Sequence, residues 1–258
     1  MRVADFIADF IFEELNVKHV FMVTGAGIMH LTDGVASHPK LQAICPHHEQ
    51  TSSMAIDAYS RASENFGVGF FTSGPGGTNA VTGLCGAWQD SVPCLFISGQ
   101  VKKKETTNKA KIPGLRQFGV QELDMIPIVK YACKYATTLN DPNKVKYEFE
   151  KAVHIAKSGR PGPVWIQIPM DVQSSIIDET KLNGFEHDDV IPTVSDDEVN
   201  KIIKLLKKSK RPVIIAGQGI RISGAISLLE KFTSKFKIPV VTPFLGIDTI
   251  KNNLLQYV

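Results

Sequence analysis

The chain has 258 residues, 43% hydrophobic and 21% charged, with a formal net charge of +3. That is enough apolar material for a sizeable core in one large or two smaller α/β domains, and a charge too small and too evenly spread to argue for nucleic acid or a membrane surface as partner. No run reaches the roughly 18 uninterrupted apolar residues of a membrane span, and Asp5, Asp9, Glu13 and Glu14 interrupt the apolar N-terminal stretch, which argues against a signal peptide. Cys45, Cys85, Cys94 and Cys133 show neither CxxC nor metal-ligand spacing and read as reduced thiols of a cytoplasmic protein.

Helical spacing over about 3 to 16 leads into the apolar run "HVFMVTGAG", a second helical stretch from about Ile28, and a second apolar run ending in "LQAICPH". The alternation continues through the small-residue helix "TSSMAIDAYSRASENFG", the strand "VGFFTSG", a glycine-rich turn, the helix "TNAVTGLCGAWQDS" and the strand "PCLFISGQ". Strands with few polar residues, alternating with helices, predict an α/β fold: a doubly wound, mostly parallel sheet with helices on both faces. Residues 102 to 125 break the pattern. They are polar, basic and unperiodic, and with no aromatics interleaved their lysines read as a solvated loop rather than an anion or nucleic-acid patch. With few apolar anchors, the loop at 102 to 120 is expected to lack order without a ligand.

A helix over about 143 to 157 and the buried strand of "GRPGPVWIQIPMDVQ" complete a first domain over 1–173. An acidic, irregular linker over 174–194 follows. Ser195 and Glu198 then stand at capping-box spacing before a new helix. "RPVIIAGQG" and "KIPVVTPFLG" read as strands flanking a helix at about 223 to 236, so 195–258 reads as the incomplete start of a second, Rossmann-like α/β domain.

Three stretches are candidates for chemistry. "HHEQ", residues 47 to 50, lacks the HExxH spacing of a zinc helix, and Glu49 alone reads equally as a first-turn acid favoured by the helix dipole. "FFTSGPGGTNAVTG", residues 70 to 83, lacks the lysine of a phosphate loop, but Gly74, Gly76 and Gly77 clear side chains from one spot where backbone can approach a ligand. "AGQGIRISG", residues 216 to 224, has Ile222 where a dinucleotide fingerprint needs its third glycine.

Taken in order, "HHEQ", "TSGPGGTN", "DSVP", "ISGQV", "QELD" and "SGRPGPVWIQIP" resemble the N-terminal pyrimidine-binding domain of thiamine diphosphate enzymes, most closely the acetolactate synthase group. "RPVIIAGQGIRISGA" and "IPVVTPFLG" resemble the opening of that family's middle domain. The resemblance implies a 2-oxo acid decarboxylase and carboligase, a transferase in which Glu49 shares a proton with N1′ of the aminopyrimidine so that the cofactor forms its C2 ylid. It also implies that Gly25 and Ala26 lie near the reacting carbon, that Pro75 and Asn79 line the pyrimidine pocket, that Gln121 meets substrate, and that Arg160 lies near a flavin if FAD is bound. Read alone, Gly25, Pro75 and Asn79 are equally turn or cap residues.

The family holds the diphosphate through Mg²⁺ on a C-terminal domain marked by GDG, absent from these residues, and builds its site across a dimer or tetramer interface. The resemblance therefore implies a chain inactive alone, with no metal ligands of its own. Val120-Gln121-Glu122, Met170 and Thr24 depart from the acetolactate synthase pattern on the substrate side. A simple 2-oxo acid decarboxylase, and a non-catalytic module kept for dimerisation, stand as alternatives.

Overall fold

The computed structural model describes residues 1–63, 65–188 and 193–251. The chain divides into two compact units, Met1–His187 and Asp188–Val258. Part of the expected linker, residues 189–192, and the last seven residues of the expected second domain lie outside the described residues.

The first unit runs α1 (Val3–Asp9), β1 (His19–Met22), α2 (Met29–Ser37), β2 (Gln42–Ile44), α3 (Glu49–Ser63), β3 (Gly67–Phe71), α4 (Pro75–Asn79), α5 (Val81–Gln89), β4 (Cys94–Gln100), α6 (Thr107–Ala110), α7 (Ile126–Val129), β5 (Tyr135–Thr138), α8 (Val145–Lys157), β6 (Val164–Pro169) and α9 (Met170–Gln173). Its strands form one six-stranded sheet in the order β2-β1-β3-β4-β6-β5, every neighbouring pair parallel. The strands whose residues are all buried, "GVGFF", "CLFISGQ" and "VWIQIP", take the interior, and the less buried β2 and β5 take the edges. A strand covered on both faces must be apolar on both, which explains the unbroken runs.

Alternate side chains go to opposite faces. Phe70, Leu95, Ile97 and Ile166 join Ile7, Leu31 and Phe149 of α1, α2 and α8 in one core. Phe71, Phe96 and Trp165 join Ile56, Leu84 and Val129 of α3, α5 and α7 in the other. The sheet is thus doubly wound. From β1 the chain passes through α2 to β2 on one side, and α3 returns it to β3 on β1's other side. The connections that leave the carboxyl ends of β1, through α2 to β2, and of β3, through α4 and α5 to β4, run in opposite directions along the sheet, and between such strands open α/β sheets leave a crevice.

Three local expectations need correction. The first helix is not continuous to residue 16: α1 gives way to a π-helical turn over Phe10–Glu14. The helix expected over 223 to 236 begins at Ile226, after a shorter helix, because Gly224 takes a left-handed φ of 66° that ends the earlier turn. Residues 102–120 do not lack anchors. The Glu122 carboxylate accepts hydrogen bonds from Thr107 N–H (2.6 Å), Thr107 Oγ1 (2.8 Å), Phe118 N–H (2.8 Å) and Gly119 N–H (3.2 Å). The sequence shows few apolar anchors there, and the structure supplies polar ones.

The second unit holds α10 (Asp196–Lys208), β7 (Ile214–Ile215), α11 (Gly219–Ile222), α12 (Ile226–Phe236) and β8 (Val240–Val241). The two strands pair in parallel over a small core of Ala216, Leu229, Val240 and Ile250. The capping box forms as spaced: Ser195 Oγ accepts from Glu198 N–H, and the Glu198 carboxylate accepts from Ser195 N–H at 3.0 Å.

Candidate active site

Helix α3 starts where it does because of His48. Its Nδ1 accepts the N–H of Gln50 at 3.1 Å and its carbonyl accepts Ser52 N–H at 3.2 Å, so a histidine performs the N-capping task more often done by Ser or Asp. Glu49 is therefore the first residue of a 15-residue helix, at its positive end. The helix lies close to α5 because small residues face each other: a Cβ on Gly83 would fall 2.4 Å from Ser53 Oγ. Cap and packing together fix the direction of Glu49, which is partly buried.

Opposite stands the turn after β3. Gly74 has a φ of 59°, and a Cβ on it would meet the Gln121 carbonyl oxygen at 2.4 Å, so only glycine fits. Pro75 occupies the first turn of α4, where its missing N–H is not needed. Asn79, at the end of α4, donates from Nδ2 to Glu49 Oε2 at 2.9 Å. Glu49 Oε1 faces Gly76, where an added Cβ would lie 3.5 Å away.

The turn after β1 closes the group. Gly27 N–H donates to Thr72 Oγ1 at 3.1 Å, and the Gly27 carbonyl accepts from Gln173 Nε2 at 2.7 Å. A Cβ on Gly25 would strike the Thr72 side chain at 2.5 Å, so Gly25 and Ala26 are pinned against the β3 turn. Ser73 Oγ is buried in this group beside Gly27 without a hydrogen-bond partner.

The structure thus brings Gly25, Ala26, Glu49, Pro75 and Asn79 together at the switch point, with Gln121 beside them through its backbone. Arg160 does not join them. Its Nε donates to Ser91 Oγ at 2.6 Å, ahead of the first residues of β4 and β6 and so at the opposite end of the sheet, roughly 20 Å from Glu49 by the length of β4. Thr72, Gln173 and Glu122 are the parts that sequence reasoning missed. Thr72 lies inside the quoted "FFTSGPGG", whereas nothing local marks Gln173, 146 positions from the carbonyl it holds.

On the far side of Gln121, a cavity of about 690 Å³ opens at the carboxyl ends of β4, β5 and β6. Its walls include Gln100, Gln167, Lys103, Lys109, Arg116 and Glu122. Burial acts to raise the Glu122 pKa, but the Thr107, Phe118 and Gly119 donors outweigh it and hold the carboxyl below its ordinary range. Gln100 Nε2 donates to the Leu123 carbonyl (2.7 Å) and Gln167 Oε1 accepts Met125 N–H (2.8 Å), so two buried glutamines fix the 121–125 turn between site and cavity.

Two family models match the chain: the thiamine pyrophosphate enzyme N-terminal TPP binding domain over residues 1–127, and the central domain over residues 199–258. The chain belongs to the thiamine pyrophosphate enzymes, acetolactate synthase-like. It is 34% identical over 242 residues to the acetolactate synthase large subunit of Lactococcus lactis, covering 92% of this chain and 40% of that protein. Identity is 36% over 242 residues to a probable acetolactate synthase large subunit of Methanocaldococcus jannaschii (91% and 39%), and 32% over 255 residues to glyoxylate carboligase of Escherichia coli O157:H7 (98% and 41%). The chain spans about two fifths of the length of these relatives.

The residues present fit the family's cofactor. A carboxylate oxygen faces space that a Cβ at position 76 would narrow, a buried hydroxyl at Ser73 has no hydrogen-bond partner, and glycines at 25 and 74 let backbone come close. Among the described residues no group of three or more His, Cys, Asp or Glu is placed to hold a metal ion, and no helix is long and apolar enough to cross a membrane.

Proposed function

We propose that the chain forms the aminopyrimidine-binding part of a thiamine diphosphate-dependent 2-oxo acid decarboxylase and carboligase, with Glu49 as the carboxylate that acts on the cofactor. One observation carries this reading: Glu49 is held through Oε2 by Asn79 while Oε1 faces the cleared space at Gly76. When bound, the cofactor would supply a carbon nucleophile and an electron sink for decarboxylation of a 2-oxo acid.

The chain's own residues orient and exchange a proton. With the cofactor bound, Glu49 would accept and return a proton at N1′ of the aminopyrimidine. Asn79 keeps the carboxylate in the rotamer that presents Oε1. Gly25 and Ala26 place backbone against the reacting end, Pro75 and Gly76 bound the pyrimidine, and Gln121 borders the substrate side.

In this reading the diphosphate and its Mg²⁺ are held by residues other than those of this chain, so the chain alone is inactive and the site closes against another subunit of a dimer or tetramer. A flavin at Arg160 would sit at the opposite end of the sheet and takes no part in the reaction; visible absorbance of the purified protein tests for it.

The decisive experiment titrates thiamine diphosphate with Mg²⁺ into the full-length protein, wild type beside Glu49→Gln, and follows pyruvate and glyoxylate consumption with analysis of the condensed product. Turnover falling by roughly 10²–10⁴ in Glu49→Gln with the fold intact is the expected result. Unchanged turnover in that variant overturns the assignment, and an aldehyde in place of a condensed product replaces the carboligase with a simple decarboxylase.

A further inference from the structure

The basic segment 102–116, which reads from sequence as a solvated loop, is instead wrapped around a cavity. Lys103, Lys109 and Arg116 line it, against the carboxylates of Glu122 and Asp124. Those two carboxylates are already engaged. Glu122 accepts the four hydrogen bonds given above, and Asp124 Oδ1 accepts the N–H of Ile126 at 3.1 Å. Lys103 donates from Nζ to the Asn140 carbonyl at 2.9 Å. The side chains of Lys109 and Arg116 have no ion-pair or hydrogen-bond partner among the described residues, and the wall sets three cations, Lys103, Lys109 and Arg116, against the two carboxylates. An adjoining hollow of about 650 Å³ shares Lys103 and Lys109 and adds Lys102, Lys104 and Asp171, whose Oδ1 accepts Lys103 N–H at 3.0 Å, so four lysines against one carboxylate extend the positive field outward.

Size and position bear on the ligand. A volume of about 690 Å³ falls within the roughly 300–1,000 Å³ of small-molecule sites. The cavity sits at the carboxyl ends of parallel strands, separated from Glu49 by the 121–125 turn. Its floor is built rather than incidental: Gln100 and Gln167 are each 3% exposed and spend their side chains holding that turn.

We propose that this cavity receives the anionic end, a phosphate or a carboxylate, of a substrate whose carbonyl reacts at the Gly25–Ala26 end of the site, and that Lys109 and Arg116 are the residues that select it. The proposal rests on the thiamine diphosphate reading for the reacting end alone; the anion site stands on the cavity and its unpaired cations. Arg116 presents a planar fork suited to two oxygens of one anion, and Lys109 a point charge, so the pair favours an oxyanion over a neutral hydroxylated tail.

The test is an amide chemical-shift titration of the chain, without cofactor and at constant ionic strength, using inorganic phosphate in one arm and succinate in the other. Wild type is compared with Lys109→Gln/Arg116→Gln, with the charge-keeping Lys109→Arg, and with Lys207→Gln/Lys208→Gln on the exposed end of α10 as a control for total charge. The expected result is saturable movement of the Thr107, Lys109 and Arg116 amides with at least one anion. Affinity should fall about tenfold or more in the double variant and stay within about twofold in Lys109→Arg and in the control.

Whichever anion binds identifies the source of the oxyanion. No saturable shift with either anion, equal binding by the double variant, or an equal loss in the control overturns the proposal. Because the titration contains no thiamine diphosphate, Glu49→Gln should bind the anion as wild type does. Loss of the anion site and loss of the cofactor reading are therefore separately visible.

Discussion

At Glu49 two weak local facts become one site. A first-turn acid and a Gly-Pro-Gly-Gly turn are each ordinary, but the hydrogen bond from Asn79 to Glu49 joins them across the switch point. Asn79→Ala removes the donor that sets the carboxylate's direction and should lower turnover of the full-length enzyme about tenfold with a smaller change in cofactor affinity, as the loss of one hydrogen bond to a charged group implies. Gly76→Ala should act the other way. Its methyl group would press on Thr72 Cγ2 at 2.6 Å and narrow the space before Glu49, so calorimetric titration should show weaker thiamine diphosphate binding, about tenfold, with a lowered melting temperature from the shift at Thr72. Equal affinity of Gly76→Ala and wild type would place the pyrimidine elsewhere. Glu49, Pro75 and Asn79 were legible because their motifs are contiguous and ordered. Gln173 was not, because its role exists only once β6 lies beside β4 and brings it against Gly27.

Among elements, the strands were readable where burial is two-sided, since "GVGFF", "CLFISGQ" and "VWIQIP" permit no exposed face, while the anchors of the 102–120 segment were not, because they are polar groups outside it: Glu122, Asp171 and the Asn140 carbonyl. Held below its usual range, Glu122 favours the closed loop above the unfolded carboxylate value of about 4.3, and that contribution is lost as pH falls through the lower folded value. Trypsin cleavage at Lys109, Lys111 and Arg116 should therefore be slow near pH 8 and much faster in Glu122→Gln. A Glu122→Gln chain as resistant as wild type would remove the latch. Gly99→Ala tests the contact between β4 and the Gly25–Gly27 turn. Its Cβ would fall 1.9 Å from the Gly27 carbonyl oxygen, so the shift it forces should cost about 3 kcal/mol in urea unfolding.

For the whole molecule, the two units differ in how much they can bury. The first has two extended cores with Trp165, Phe71 and Phe96 stacked inside one of them, and the described residues of the second form one cluster of four buried apolar residues and a pair of two-residue strands. Scanning calorimetry with far-UV circular dichroism should show the smaller unit melting first, at a temperature that Trp165→Ala leaves unchanged while it lowers the later transition; a single transition would refute this. The sheet order also dictates a timetable. β6 is the last strand of the six-stranded sheet to be made, yet it lies between β4 and β5, and the N-terminus waits longer still, since Met1 and Val3 bond to Ile177 and Ser175. On a ribosome adding roughly 5–20 residues per second, the apolar edge of β4 stays open for roughly 3–14 s before Pro169 arrives. A nascent chain of this protein is thus a client for a chaperone that shields one bare strand edge, and chains halted before Val164 should be captured by one far more than chains halted after Ile177.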